Sequence, residues 1–134
     1  MNRRTARESA FILLFEASIK NDETAEEIFQ KATECRGLEC DDYVKKVFFG
    51  CNENKVIIDE TVEKCLVGWK KERISYVSKA VLKLSAFELM FMEDIPVKVS
   101  INEAIELSKK YDDGKTYVFV NGVLNRLAEE IGRK

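Results

Sequence analysis

The sequence contains no histidine, only one proline and six glycines among its 134 residues. Without histidine the chain lacks the most common general base and the most common metal ligand of proteins. The scarcity of proline and glycine argues against a turn-rich β fold and leaves room for long helices. These absences favour a helical protein and disfavour the commonest metal and acid–base enzymes.

The four cysteines form no CxxC pair and have no spacing typical of a zinc site. Cys51 and Cys65 follow an apolar helical stripe, so we expect them to be small buried residues. The apolar run Ala10 to Phe15 near the start is too short for a signal sequence and ends at Glu16 without a cleavage-like site. No stretch is long enough to span a membrane. We therefore expect a protein of the reducing cytoplasm without a bound metal.

Helix-start patterns recur along the chain. Three segments place a hydroxyl residue three positions before a glutamate, as in a capping box: TARE from Thr5, TAEE from Thr24 and SINE from Ser100. Apolar periodicity predicts the following helices: about 6–19, a short one ending near Gly37, a run over 42–69 split near 52–54, and then 75–91, 100–111 and 116–131. The sequence predicts an all-α fold of six or seven helices, in two bundles joined near 69–73.

Positive charge is concentrated in two parts of an overall slightly acidic chain. Arg3, Arg4 and Arg7 lie near the N-terminus, where Thr5 as cap would leave the first two on a free arm. Residues 64–83 contain six bases against Glu72 alone. Guanidinium groups beside the free amides of a helix start suit a phosphate, and they stack on unpaired bases. Residue type alone nevertheless favours an ordinary solvated surface for the arginines, and leaves the 64–83 run undecided.

A second candidate region surrounds the Asp112-Asp113-Gly114 turn. Bases and aromatic residues alternate there: Lys109, Lys110, Tyr111, Lys115, Tyr117 and Phe119, followed by Asn121. Such a mixture offers charge for phosphates, rings for bases and an amide for a base edge, as single-stranded nucleic acid requires. From the residues alone, helical spacing from Val123 favours a core position for Phe119 and leaves Tyr111 undecided.

Glu88 lies within the apolar run 85–92 and is the one carboxylate expected to be partly buried. A general acid would need a nucleophile, a histidine or a second carboxylate nearby, and the sequence provides none. We expect a cation on the same helix or a backbone amide to satisfy Glu88. Nucleotide-binding glycine motifs and HExxH are absent as well. The sequence therefore predicts a non-catalytic protein without a cofactor.

Four segments in order resemble the NusB family along nearly the whole chain: RRTARESAFILLF from Arg3, the segment from Trp69 to Leu89 that contains KAVLKLSAFEL, IPVKVSINEAIELSKKY from Ile95 and FVNGVLNRLA from Phe119. The resemblance implies a single all-helical domain with two three-helix subdomains, about 1–70 and 71–134. It also implies an antitermination factor that binds boxA RNA of nascent ribosomal transcripts together with NusE, a small-subunit ribosomal protein. Other Nus factors and RNA polymerase would be indirect partners, and neither catalysis nor a cofactor is implied.

The resemblance assigns roles to individual residues. The RNA-contacting positions would be Arg3, Arg4, Arg7, Tyr111, Lys115, Phe119 and Asn121. The NusE-facing positions would be Phe15, Ser78, Lys79, Leu82 and Glu88. Thr5, Ser78 and Val118 depart from the family pattern, since charged residues can occupy these positions. The alternative is a non-catalytic protein–protein interaction module, or a homodimer that covers the RNA surface.

Overall fold

The computed structural model describes residues 1–133 and confirms the all-α prediction, with seven α-helices and no strand in that range. The helices are α1 (Arg3–Ile19), α2 (Ala25–Gln30), α3 (Asp42–Glu53), α4 (Lys55–Lys64), α5 (Tyr76–Phe91), α6 (Val97–Tyr111) and α7 (Thr116–Glu130). A π-helical turn, Lys31–Cys35, extends α2, and a 3₁₀ turn, Lys71–Arg73, precedes α5. None of the described helices combines the length and the apolar character needed to cross a membrane.

Only one of the three predicted capping boxes is present. The Thr24 hydroxyl accepts from the Glu27 amide at 3.1 Å, and the Glu27 carboxylate accepts from the Thr24 amide at 2.9 Å. The boxes predicted at Thr5 and Ser100 are wrong, because both helices begin at least three residues before their predicted first residues. Asn2 caps α1 by accepting from the Thr5 amide, and α6 begins directly after Pro96. Each hydroxyl therefore lies inside a helix, where the backbone amides already have helical partners.

Helix α5 lies at the centre of the molecule and packs against α1, α3, α4, α6 and α7. Ten of its sixteen residues are buried, which explains why its sequence is apolar nearly all round. One continuous core cluster includes buried side chains from all seven helices. The division into subdomains at residue 70 stays a prediction, since α5 contributes to the packing of both halves.

Helices α3 and α5 approach closely at Gly50. A Cβ atom at this position would lie 2.5 Å from the Phe87 ring, well inside van der Waals contact. The absence of a side chain therefore lets Phe87 fill the space between the two helices. Cys51, the next residue, is buried as predicted, and Cys65 is also buried, near the end of α4.

The segment between α4 and α5, residues 65–75, is called the connector below. It contains Trp69, which the apolar periodicity placed in a helical core stripe. That prediction is wrong, because α4 ends at Lys64 and Trp69 is 55% exposed. Gly68 has a φ of +78°, a conformation that favours glycine and turns the chain at this point.

Candidate nucleic-acid interface

A buried polar cluster connects four helices around the Glu88 carboxylate. Arg7 of α1 donates from Nε at 2.8 Å, and Ser100 of α6 donates from Oγ at 2.7 Å. The Tyr43 hydroxyl of α3 donates to the same carboxylate. Glu88 itself is 1% exposed. The expectation of a partner on its own helix is therefore wrong, since its partners come from three other helices.

The electrostatics of this cluster keep Arg7 charged and Tyr43 neutral. Burial disfavours the charged guanidinium of Arg7, but the hydrogen bond and negative charge of Glu88 outweigh it and raise its pKa. Burial, followed by the charge of Glu88, also raises the pKa of the Tyr43 hydroxyl well above its ordinary value. The cluster is thus a satisfied ion pair with two supporting hydroxyl groups. Within residues 1–133, no group of three His, Cys, Asp or Glu side chains is placed to hold a metal ion.

This cluster corrects the roles that the resemblance implied for two residues. Arg7 is 5% exposed and faces Glu88, so its guanidinium is not presented to an RNA. Glu88 is enclosed by core helices, so it is not presented to a protein partner. The apolar run indicated the burial of Glu88 but not its partner, because sequence spacing does not reveal that two residues 81 positions apart are paired.

Arg3 and Arg4 lie on the first turn of α1, not on the free arm that the Thr5 cap predicted. The Arg4 side chain is 74% exposed and donates to Glu103 of α6 through Nε at 3.1 Å and Nη2 at 2.8 Å. This bond raises the pKa of Arg4 and lowers that of Glu103. The Arg3 guanidinium lies 4.4 Å from the centre of the Tyr43 ring. Both arginines remain at the surface, each held by a neighbouring helix.

The C-terminal end of α6 lies beside α1. Lys110 donates to Glu8 at 2.7 Å, and the Tyr111 ring packs against Phe11 with centroids 4.8 Å apart. The contacts between α1 and α6 occur in the same order along both helices, beginning with Arg4–Glu103 and ending with Phe11–Tyr111. The structure therefore places Arg4 and Tyr111 on one surface formed by α1 and α6, while Arg3 lies toward α3.

The connector runs antiparallel along α7, with three contacts that define its course. The Cys65 carbonyl accepts from Arg126 Nε at 3.0 Å, the Trp69 ring lies 4.6 Å from the Phe119 ring, and Ser75 Oγ donates to Asp112 at 2.7 Å. Residues 70–74 of the connector thus lie between the contact of Trp69 with Phe119 and that of Ser75 with Asp112. The basic segment 64–83 and the basic–aromatic turn, separate in the sequence, meet at one surface.

The residues expected to bind RNA at this turn differ in exposure. Lys115 is exposed at the start of α7, while Phe119 is half-buried against Trp69. Asn121 is half-buried, and its side-chain oxygen accepts from Asn125 at 3.0 Å. Sequence reasoning missed Trp69 and Lys70 as members of this surface. The available signal was the charge reversal over 64–83, but its spatial neighbour was unknown.

A cleft of about 430 Å³ lies between α1, α3, α4 and α5. Its wall from α5 includes Lys79, Leu82 and Lys83, and its wall from α1 includes Leu14 and Ala17. Of the residues expected to face NusE, Lys79 and Leu82 line the cleft, and Phe15 is half-buried next to Leu14 in the chain. Ser78 is 1% exposed and turned toward Asp112, so its expected surface role is wrong.

A comparison with known proteins identifies the family. The model of the NusB family matches residues 4–129. The chain belongs to the NusB family. A protein of Bacillus licheniformis named transcription antitermination protein NusB is 44% identical over 131 residues, with 98% of this chain and 99% of the relative covered. The protein of the same name from Clostridium novyi is 45% identical over 130 residues, covering 95% of this chain and 98% of the relative.

Solved structures of the NusB family share the fold. NusB of T. maritima superposes with a TM-score of 0.84 at 35% identity, covering 97% of this chain and 92% of that chain. A structure described as antitermination factors NusB and NusE in complex with dsRNA matches with a TM-score of 0.84 at 29% identity, covering 96% of both chains. NusB of Aquifex aeolicus matches at 30% identity with a TM-score of 0.79, covering 100% of this chain and 95% of that chain.

Proposed function

We propose that this NusB-family protein binds the boxA element of nascent ribosomal RNA together with NusE and thereby helps to suppress transcription termination. Membership of the family carries the proposal. A similar protein was solved in a complex with NusE and RNA, which supports the same two classes of partner. Contacts with other Nus factors and with RNA polymerase would then be indirect, through the assembled complex.

The RNA surface proposed here consists of Arg3, Arg4, Tyr111, Lys115, Phe119 and Asn121. Arg3 and Arg4 are exposed cations, and Lys115 adds a third at the turn. Tyr111 and Phe119 provide rings for base stacking, and Asn121 provides an amide for a base edge. Arg7 has an indirect role in this proposal, because its pair with Glu88 fixes the helix that carries Arg3 and Arg4.

The proposed NusE surface is the cleft between α1 and α5, near Phe15. An apolar floor that includes Leu14, Phe48 and Leu82 favours burial of an apolar side chain from the partner. Lys79 and Lys83 at the rim provide charge for acidic or carbonyl groups of that partner. The cleft and the RNA surface share α1, so one partner and the RNA can be bound side by side.

The test is a titration of a labelled boxA oligonucleotide with this protein, with NusE and with both, followed by fluorescence anisotropy. We expect the pair to bind more tightly than either protein alone, and binding to weaken with added salt through counterion release. A scrambled oligonucleotide of the same length is the control for sequence preference. Equal affinity of the pair and of NusE alone would contradict the proposal.

Light scattering of the free protein and of its mixture with NusE tests the alternative of a homodimer with a covered RNA surface. We expect a heterodimer with one copy of each protein. A homodimer that persists with NusE and leaves boxA unbound would instead support the alternative.

A further inference from the structure

We propose that Trp69, packed on Phe119, forms a stacking platform for an unpaired RNA base and extends the RNA surface onto the connector. The inference deepens the proposed function and rests on it. Trp69 begins the second segment that carries the family resemblance, but the resemblance assigns it no role, and neither periodicity nor composition indicated a binding role for it. The role follows from the exposure of Trp69 in the folded protein and from the residues around it.

Trp69 is unusually exposed for a tryptophan. Tryptophan buries a large apolar surface in most proteins, yet this side chain is 55% exposed. One side of the indole packs against Phe119, with ring centroids 4.6 Å apart and ring planes inclined by 55°. The remaining surface faces solvent. Phe119 therefore supports the indole and leaves part of it accessible to a flat ligand.

The connector contacts hold this aromatic pair in place. The bond from Arg126 to the Cys65 carbonyl lies before Trp69, and the bond from Ser75 to Asp112 lies after it. Both contacts join the connector to the α6–α7 region. A ring fixed between two such contacts loses little conformational freedom when a base stacks on it, which favours binding.

The surrounding charge favours a polyanion over an apolar protein partner. Lys70 follows Trp69 directly, Arg73 ends the 3₁₀ turn that comes next, and Lys115 precedes the helix that carries Phe119; all three are exposed. In the part of the chain that the structure describes, none of these three cations forms an ion pair. Lys71 differs, because it donates to Glu63 at 2.5 Å. Exposed rings interleaved with cations that lack an acidic partner fit the phosphates and bases of single-stranded RNA.

The test uses the fact that Trp69 is the single tryptophan of the chain. Protein and NusE are titrated with unlabelled boxA RNA while tryptophan emission and its quenching by acrylamide are recorded. The same titration with Trp69→Phe provides the background from other emitters. We expect bound RNA to quench the Trp69 emission and to protect the indole from acrylamide. Unchanged emission and unchanged acrylamide quenching at saturation would overturn the inference and leave the proposed function intact, provided that the labelled oligonucleotide is bound under the same conditions in a parallel anisotropy titration.

Affinity measurements provide an independent readout. Trp69→Leu, which keeps an apolar contact to Phe119 but lacks a ring, should weaken RNA binding about tenfold, and Trp69→Phe should stay within about threefold of the parent. The matched control is Phe91→Ala at the opposite end of α5, a 40% exposed ring that packs on Phe87. Equal losses for Trp69→Leu and Phe91→Ala would contradict the platform, since they would indicate a general effect of losing a surface hydrophobe. Absence of RNA binding by the parent with NusE would contradict this inference and the proposed function together.

Discussion

The buried cluster around Glu88 and the exposed surface around Trp69 use the same kinds of residue for different purposes. In the cluster, Arg7 and Tyr43 both direct their polar atoms to one carboxylate and are almost inaccessible. At the connector, Lys70 and Trp69 lie at the surface, and the lysine has no acidic partner among residues 1–133. Arg7 and Tyr43 stabilise the fold because they share a buried carboxylate. Lys70 and Trp69 have no such partner in the part of the chain that the structure describes and are accessible to a ligand.

Arg4 combines features of both regions, since it is exposed and also paired with a carboxylate. Its side chain is largely exposed, but Glu103 accepts two hydrogen bonds from it. An RNA phosphate would have to replace that carboxylate, whereas it would meet Lys115 without such competition. The contribution of a cation to RNA affinity should therefore depend on what it already binds, and less on how close it lies to the chain terminus.

The largest effect is expected from breaking the buried cluster. Glu88→Gln removes the charge that Arg7 faces, which leaves a buried cation without compensation and should lower the free energy of unfolding by ~3–5 kcal/mol. Urea denaturation followed by circular dichroism measures the change. In the double variant Arg7→Met with Glu88→Gln, part of the loss should return, because no isolated charge remains.

Glu106→Gln is the control for this stability effect. The Glu106 side chain is 57% exposed, and its ion pair with Lys109 is long, at 3.9 Å. We expect it to change the free energy of unfolding by less than about 0.5 kcal/mol. If Glu88→Gln were as stable as this control, the cluster would not be a structural ion pair.

An intermediate effect is expected from the exposed cations. The double variant Lys70→Ala with Lys115→Ala should weaken boxA binding in the presence of NusE more than Arg4→Ala does. The plot of log affinity against log salt should become shallower by roughly 1.4, since each lost phosphate contact to a single strand accounts for about 0.7. Anisotropy titrations at four salt concentrations measure both quantities.

Lys45→Ala with Lys46→Ala removes the same charge from α3 and is the matched control for the connector variant. Affinity and salt dependence of this control should stay near those of the parent. A control that lost as much affinity as the connector variant would show that net charge, and not the connector surface, determines RNA binding.

The smallest effect is the pH dependence of the Tyr43 contribution. The hydroxyl titrates near 10 in the unfolded chain and at a raised pKa in the folded protein, so its contribution is complete below pH 10 and is lost above it. The difference in free energy of unfolding between the parent and Tyr43→Phe should therefore narrow above pH 10, by up to about 1.4 kcal/mol per pH unit. Urea denaturation at pH 8, 9, 10 and 11 measures it.

Tyr76→Phe is the control for the pH dependence, since Tyr76 is 52% exposed. The difference between the parent and this variant should not change over the same range. A constant difference for Tyr43→Phe as well would indicate that its hydroxyl is not buried against Glu88.

Most of the fold was predictable from the sequence, because helices leave local signals. The split of α3 from α4 near Asn54 and the start of α5 after Ser75 both agree with the structure. The capping motifs at Thr5 and Ser100 were misleading, since a hydroxyl three residues before a glutamate also occurs inside helices. For the site, residue types indicated cations and rings, and the apolar run indicated the burial of Glu88, but Arg7 was placed at a surface although it is buried.

The sequence by itself determined that the chain is helical and that its four ordered segments resemble the NusB family. Helical periodicity and family segments are properties of residues close together in the chain, so they can be recognised from the sequence without knowledge of the fold. Only the tertiary structure decided which polar residues are paired and which are accessible. Glu88 obtains partners from three other helices, and Trp69 meets Phe119 across fifty residues of chain. Such contacts depend on how the helices pack, and packing is set by the whole core at once.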